Sequence, residues 1–339
     1  MTLTSLILFL IILSVILFFV KKWANGPLNK IKKDLTGKLI IVTGASDGIG
    51  YETAKDLLNS NAQVIFACRN KTKAEEKINE LPENSKKNAI FVELDLSRFE
   101  SVENFSKEIK SKYPKIDILI NNAGIGGAEF KKTEDGYIDT YQVNYLSNAL
   151  LTLLLLEHFN QKESKITSVS SRAYKISKLE NGDSKYLKDS DLMHQKYSKN
   201  RGRRQIYGDS KLLLNYFIQY LGDLCEKKYP YLKVVCLHPG VIFTNIFKLK
   251  NLFYKILFFI FRCIFYFFTK DRVHGAQTTL FLVYSDNKDL VNGGYYSDLK
   301  FEKYTPKGKD ENLRKEMVNE TLNILKNKYT ELDWLPLCE

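Results

Sequence analysis

The chain has 339 residues, of which 44% are hydrophobic and 13% aromatic, so it can bury a sizeable core and is not intrinsically disordered. Lys and Arg outnumber Asp and Glu by 51 to 39, and the net charge of +12 predicts an anionic partner such as a phospholipid, a phosphorylated cofactor or a nucleic acid. The five cysteines include no CxxC pair, which argues against a disulfide framework or a zinc cluster. The four histidines have no ligand spacing, so we expect no metal site.

Residues 2–20 form an apolar run whose only polar members are threonine and serine. As a helix this run would extend about 28 Å, close to the roughly 30 Å of a bilayer core. A cleaved signal peptide or a buried core helix would also be apolar, but no basic residue precedes Lys21 as a signal peptide requires. We therefore expect a single-pass anchor over residues 1–22 and a basic linker over 23–36.

Basic residues follow the apolar run and none precedes it; they are Lys21, Lys22, Lys30, Lys32 and Lys33. Positive charge beside a membrane span favours the cytosolic side, so we expect the main domain to face the cytosol, with the endoplasmic reticulum as the expected membrane.

Short β-branched or apolar runs alternate with segments of helical spacing along the rest of the chain. The runs are 38–43, 63–68, 89–94, 116–120, 165–170, 232–237 and 294–297. This alternation predicts an α/β fold of the Rossmann type, a doubly wound and mostly parallel sheet of seven strands. We expect one large domain over residues 37–305 and a C-terminal helical extension over 306–339.

The first strand runs directly into a glycine-rich turn, Thr43–Gly50, and then into a helix. Such a turn lets the backbone approach a pyrophosphate, and the helix N-terminus supplies free N–H groups. A tight connection without a ligand is the alternative. The predicted cofactor contacts in this turn are Gly44, Ser46, Asp47, Gly48, Ile49 and Gly50.

The end of the second strand indicates which nicotinamide cofactor is preferred. An NAD site generally carries an acidic residue there, whereas this chain has Arg69 and Asn70. A guanidinium binds a 2′-phosphate that a carboxylate would repel, so we predict NADP(H). Arg69 as a solvated loop residue is the alternative. Asp95 and Leu96 follow the third strand and are expected near the adenine.

Asn122, Ala123 and Gly124 follow the fourth strand and are expected along the middle of the cofactor, although each could instead serve turn geometry. At this point the chain resembles the short-chain dehydrogenases/reductases over roughly residues 36–300. The motifs that carry the resemblance occur in the family's order; they are Thr43–Gly50, Asn121–Gly124, Asn144, Ser170–Ser171, Tyr207–Lys211 and Pro239–Gly240.

Further stretches look like the retinol dehydrogenase branch of that superfamily; they are 133–136, 143–145, 275–279 and 293–298. The resemblance implies that Pro239, Gly240, Val241 and Thr244 also contact the cofactor.

The spacing Tyr-x-x-x-Lys occurs seven times, but only Tyr207–Lys211 lies on a predicted helix between the fifth and sixth strands, well after Ser171. Four-residue spacing puts both side chains on one helical face. An ammonium about 4 Å from the phenol would lower its pKa by on the order of three units before desolvation. We therefore expect Tyr207 to titrate near working pH as a general acid/base.

The resemblance also implies a role for each catalytic residue. Tyr207 exchanges the proton, and Lys211 lowers its pKa and holds the ribose hydroxyls. Ser171 hydrogen bonds the substrate oxygen, with Ser170 as the alternative, and Asn144 supports a water in the proton relay. Local capping is the alternative role for Asn144 and Ser171.

Residues 251–269 are rich in aromatic side chains, yet Lys248, Lys255 and Arg262 recur on one helical face. Because a central charge disfavours insertion, we expect an interfacial helix or substrate-covering lid over about 245–270, in contact with membrane lipid. A lid packed on the protein's own core, or on a second subunit of a homodimer, is the alternative. The 35-residue insert between Ser171 and Tyr207 is expected either to shape the substrate entrance, to touch lipid headgroups or to be a solvated loop.

Together these features predict a membrane-anchored oxidoreductase that interconverts a lipophilic alcohol and its aldehyde or ketone with NADP(H). A non-catalytic NADP(H)-binding membrane scaffold is the alternative. Nucleic acid is not an expected partner, because the positive charge is dispersed and the membrane accounts for the basic flank.

Overall fold

The computed structural model describes residues 2–126, 131–198, 202–242 and 266–338. The predicted cofactor contact Thr244 and most of the predicted lid lie outside the described residues.

One mixed sheet of eight strands organises the described chain, in the order β3-β2-β1-β4-β5-β6-β7-β8. Its strands are β1 Leu39–Thr43, β2 Gln63–Cys68, β3 Ala89–Glu93, β4 Ile118–Asn121, β5 Ser164–Val169, β6 Leu232–His238, β7 Gly294–Ser297 and β8 Lys300–Glu302. The seven predicted strands are confirmed and pair in parallel. The eighth was not predicted and pairs antiparallel with β7. Three residues are too few to show an alternating pattern.

Helices cover both faces of this sheet. The α-helices of the described chain are α1 Leu3–Asn25, which has no buried residue, α2 Gly48–Asn59, α3 Lys71–Asn79, α4 Glu83–Lys86, α5 Phe99–Lys112, α6 Asp139–Tyr141, α7 Ser147–Leu155, α8 Lys185–Lys188, α9 Ser190–Tyr197, α10 Gly202–Lys228, α11 Arg272–Tyr284 and α12 Glu311–Lys326. Side chains of a strand point alternately to its two faces. In β1, Leu39 and Ile41 join one buried cluster whereas Ile40 and Val42 join the other. Both faces of the sheet are therefore buried, as in a doubly wound fold.

The strand order reverses between β1 and β4, which are neighbours although two strands separate them along the chain. Connections after these strands lead to opposite sides, so a crevice opens at their carboxyl ends. The glycine turn after β1 and the Asn122–Gly124 stretch after β4 both lie at this point.

Helix α1 spans 23 residues with none of them buried, and it is the helix among the described residues that is long and apolar enough to cross a membrane. It extends three residues beyond the predicted anchor. The chain that follows is bonded to the body of the protein: the Asn29 N–H donates to the Gln277 side chain over 2.9 Å, Lys33 pairs with Asp286, and Leu35 is buried.

The predicted C-terminal extension is helical and packs into the core of the domain. Leu313, Met317 and Leu322 of α12 are buried in the same cluster as Tyr145 of the central helices. The Tyr145 hydroxyl also donates to the Thr321 hydroxyl over 2.8 Å.

Candidate active site

The turn after β1 has the geometry of a phosphate cradle. Gly44 has φ +68° and Gly48 has φ +58°, a region that favours glycine. No atom of the described residues lies within 4 Å of where a Cβ would stand on Gly48, so the backbone there faces open space at the N-terminus of α2. A pyrophosphate fits at such an uncovered helix N-terminus.

Asn122 locks this turn to the end of β4. Its side-chain amide donates to the Thr43 carbonyl over 2.9 Å, while its N–H donates to the Thr43 hydroxyl over 2.9 Å. The Ala123 N–H donates to the same hydroxyl. A Cβ on Gly50 would stand 2.4 Å from the Asn122 amide nitrogen, so the packing of α2 against this lock requires glycine. Asn122 thus shapes the cradle through its hydrogen bonds to Thr43.

Asp47 carries a negative charge at the cradle, and two cations neutralise it. Its carboxylate accepts from the Gly48 N–H over 2.7 Å and pairs with Lys73 and Arg272. Hydrogen bonds from Lys73 and Gly48 hold its pKa below the usual value, although partial burial acts in the opposite direction. The flanking residues are also placed by packing: Ser46 hydrogen bonds the Cys68 thiol, and Ile49 is half-buried.

The residues expected around the adenosine end of the cofactor differ in how many hydrogen bonds their side chains make within the protein. Arg69 is exposed and makes no hydrogen bond or ion pair within the described chain, so its guanidinium is available to an anion. Asn70 caps α3 by accepting from the Lys73 N–H over 2.9 Å. Asp95 accepts from the N–H and hydroxyl of Ser97, and Leu96 is buried. Asn70 and Asp95 thus serve local turns as well.

Tyr207 lies in the first third of α10 with a half-buried ring, and its hydroxyl hydrogen bonds Ser171. Burial raises the pKa of Tyr207, and the bond with Ser171 offsets this only in part. The expectation that Lys211 brings this pKa towards neutrality is therefore wrong for this structure. The Lys211 ammonium lies 5.8 Å from the centre of the Tyr207 ring and is turned to a different partner.

That partner is the carbonyl of Val169, the last residue of β5, to which Lys211 Nζ donates over 2.9 Å. Lys211 is 4% exposed, and burial lowers its pKa to about 8. A Cβ on Gly124 would stand 3.6 Å from this ammonium, so the strand ends of β4 and β5 meet at Lys211.

Asn144 is fully buried within a π-helical turn, Gln142–Leu146, that interrupts the helix before α7. Its amide donates to the Ile125 carbonyl over 2.9 Å, and its oxygen accepts from the Ile125 N–H over 2.7 Å. It therefore fixes the loop after Gly124. A π-turn is a local strain that recurs at functional sites.

The remaining site residues form the rim near β5 and β6. Ser171 also accepts from the Ala173 N–H over 3.1 Å, so capping and contact with Tyr207 occur together. Ser170 is buried with its hydroxyl unpaired among the described residues. Pro239 is buried, Gly240 has φ +99°, and Val241 is exposed.

Asp209 is a buried hydrogen-bond acceptor to which the sequence pattern assigned no role. It is buried, two residues from both Tyr207 and Lys211 in the chain, and accepts from the Tyr197 hydroxyl over 2.6 Å, the Ser177 hydroxyl over 2.6 Å and the Gln205 amide over 2.9 Å. These donors belong to the insert, whose described part is packed, so the solvated-loop alternative is wrong for it. The acidic residue inside the Tyr207–Lys211 motif was the available signal.

Comparisons with known proteins agree with this geometry. A family model described as short chain dehydrogenase matches residues 38–181. Retinol dehydrogenase 14 from Homo sapiens is 35% identical over 298 residues, which cover 83% of this chain and 84% of that protein. The predicted family and branch are thereby confirmed.

Solved structures share the fold. An uncharacterized protein from Mycobacterium Paratuberculosis has a TM-score of 0.67 at 22% identity, covering 88% of this chain and 96% of that one. A short chain dehydrogenase from Shigella flexneri, solved in complex with NADP, has a TM-score of 0.56 at 22% identity, covering 79% and 100%.

Proposed function

We propose, since the chain belongs to the short-chain dehydrogenase/reductase family and to its retinol dehydrogenase-like branch, that it is a membrane-anchored enzyme interconverting a lipophilic alcohol and its aldehyde or ketone with NADP(H). The observation that carries the proposal is the Tyr207 hydroxyl, hydrogen-bonded to Ser171 beside the buried Lys211, at the carboxyl ends of the strands.

The nicotinamide cofactor would supply or accept the hydride when bound. The turn of Gly44 and Gly48 would hold its pyrophosphate, because these glycines leave the backbone uncovered. The free guanidinium of Arg69 supports NADP(H) as the preferred form, since it would bind a 2′-phosphate with charge-assisted hydrogen bonds. The Shigella flexneri protein of the same fold was solved with NADP.

The proton chemistry is assigned to Tyr207. Its raised pKa keeps the phenol protonated at neutral pH, which is the form that donates a proton to a carbonyl oxygen. Ser171 would hydrogen bond the same oxygen. Lys211 would place its ammonium near the ribose hydroxyls, and Asn144 would hold the adjoining loop and a relay water. The residues are thus prepared for carbonyl reduction.

The lipophilic substrate class rests on the relatives and on α1. The names of the relatives include retinol dehydrogenases, and α1 is a candidate membrane span. We place the catalytic domain at residues 37–305 and the anchor at the apolar helix. The basic flank favours an endoplasmic reticulum protein facing the cytosol.

Oxidation of NADPH by the full chain in detergent, with a panel of apolar aldehydes and ketones, tests this function. Tyr207→Phe should lower kcat by roughly 100-fold or more, because the proton donor is lost. The control is Tyr51→Phe, at another tyrosine of the same Tyr-x-x-x-Lys spacing whose hydroxyl donates to the Lys77 carbonyl. Equal activity in both variants would refute the mechanism, and NADPH binding without turnover of any carbonyl would support the scaffold instead.

A further inference from the structure

The end of α1 is bonded to the chain that flanks residues 243–265. Lys21 Nζ donates to the carbonyls of Tyr266 and Thr269, over 2.9 and 2.7 Å, and lies 4.1 Å from the centre of the Tyr266 ring. Four residues later, the Asn25 side chain accepts from the Asp271 N–H over 3.2 Å. The orientation of α1 is therefore tied to residues 266–271 and not left to a free tether.

The same stretch is joined to the rim of the active site. Lys270 N–H donates to the Val241 carbonyl over 2.8 Å, and Ile242 and Lys270 form a parallel bridge. Residues 242 and 270 thus stand side by side although 27 residues separate them in the chain. Residues 266–271, which contact the end of α1, therefore also contact the loop that begins at Pro239.

Lys270 is the physical connection between the two. Its side chain is 7% exposed and pairs with Asp298. A Cβ on Gly26, at the end of α1, would stand 3.2 Å from its Nζ, and a Cβ on Gly240 would stand 2.6 Å from its Cδ. Two glycines with positive φ, Gly26 directly after α1 and Gly240 in the loop after β6, leave the room that this lysine fills.

Large apolar side chains surround this junction without cover. Trp23 is 80% exposed, Val241 67%, Phe268 58% and Tyr266 48%. We call residues 21–26, 239–242 and 266–271 the foot. Trp and Tyr are enriched where a membrane meets water, and the exposed rings of the foot are continuous with an apolar helix that has no buried residue. That continuity identifies the occupant as a phospholipid bilayer.

We propose that the foot is a rigid clasp seated in the lipid–water interface, which holds the Pro239–Ile242 rim of the active site against the bilayer. This inference rests on the membrane anchoring proposed above and adds to it a fixed depth and orientation. An apolar substrate would then reach the site from the membrane side.

Depth-dependent fluorescence quenching in the full chain tests the clasp, because Trp23 and Trp334 are the two tryptophans. Three single-tryptophan proteins are compared in phosphatidylcholine vesicles brominated near the glycerol end of the acyl chains. Trp334→Phe retains Trp23, Trp23→Phe retains Trp334, and the double replacement with Phe268→Trp reports on the foot. Tyr266→Trp serves in place of Phe268→Trp if that protein does not fold.

We expect Trp23 and the Phe268→Trp reporter to be quenched about twofold or more relative to Trp334. Quenching of Trp23 without quenching of the reporter would place the foot away from the lipid and overturn the inference while leaving the anchor intact. Absence of quenching at both positions would remove the anchor and the clasp together, yet NADPH turnover in detergent would still stand.

Two neighbouring lysines, Lys21 and Lys22, allow a test that distinguishes the clasp from simple attraction between positive charge and lipid headgroups. Lys21→Gln removes both bonds to the foot, whereas Lys22→Gln removes the same charge from an exposed residue one position along. In the reporter protein, Lys21→Gln should bring quenching at position 268 close to that of Trp334, and Lys22→Gln should leave it unchanged. Equal loss in the two variants would refute the clasp.

Discussion

Two buried lysines lie at opposite ends of strand β5, Lys165 within the strand and Lys211 on α10, and they have similarly lowered pKa values but different surroundings. Lys165, at the amino end, is 4% exposed and donates to the carbonyls of Val283 and Ser285 at the end of α11. Lys211 meets the carboxyl end at Val169 and has the same exposure. Burial lowers the pKa of each to about 8.

A displaced pKa alone therefore does not identify a functional lysine. The ammonium of Lys165 donates to carbonyls at the end of α11 that have no donor within that helix, which is a structural role. Lys211 uses one carbonyl and stands beside Tyr207 and Gly124 at the crevice. Position at the carboxyl ends of parallel strands separates the two, because ligands bind there in open α/β sheets.

Replacement of each lysine by methionine makes the sharpest test of this contrast. Lys211→Met should lower kcat/KM for NADPH-dependent reduction by roughly 100-fold, because the ammonium proposed to hold the ribose hydroxyls of the cofactor is lost. Lys165→Met should keep activity within about twofold, since it lies at the other end of the sheet. Steady-state kinetics on folded protein would decide, and equal losses would abolish the distinction.

Arg69 extends the comparison to another carboxyl end, that of β2. Arg69→Gln should raise the KM for NADPH by about tenfold or more, because hydrogen bonds to a charged group contribute about 1.5–3 kcal/mol. The KM for NADH, which has no 2′-phosphate, should stay the same and serves as the control within one variant. A parallel rise for both cofactors would mean that Arg69 supports the fold instead.

The two lysine variants should rank in the opposite order for stability, with the larger loss in Lys165→Met. Lys165→Met leaves two helix-end carbonyls without their donor and should lower the free energy of unfolding by about 1–2 kcal/mol, because loss of a buried charge offsets part of the cost. Lys211→Met deprives one carbonyl and should cost less. Denaturant midpoints in detergent give the comparison, and a larger loss in Lys211→Met would contradict it.

The difference in stability between wild type and Lys165→Met should also depend on pH. Lys165 has a folded pKa of about 8 against 10.5 for the ordinary group, so the unfolded state binds more protons between these values. Stability from Lys165 therefore rises with pH in this window, by at most about 1.4 kcal/mol per unit. The gap between wild type and Lys165→Met should widen from pH 8 to 10, while the cysteine and tyrosine contributions cancel. A constant gap would exclude a depressed pKa.

Local patterns were sufficient for much of the fold. Seven strands, the glycine turn and the apolar helix follow from short-range alternation and from the φ angles that only glycine adopts readily. The family followed from the order of its motifs, because such motifs are contiguous in sequence. Strand β8 escaped this reasoning, since three residues pair only because Asp298 and Leu299 turn the chain back.

The sequence by itself determined which side chains line the carboxyl ends of the strands, because strand order and direction fix that edge. Only the tertiary structure decided the partners: Lys211 turns to Val169 and not to the phenol, Asp209 gathers the insert, and Lys270 lies between Gly26 and Gly240. These contacts join residues far apart in the chain, and burial, which depends on all neighbours at once, sets the pKa of Tyr207. The spacing of residues along one helix predicts neither these long-range contacts nor the degree of burial.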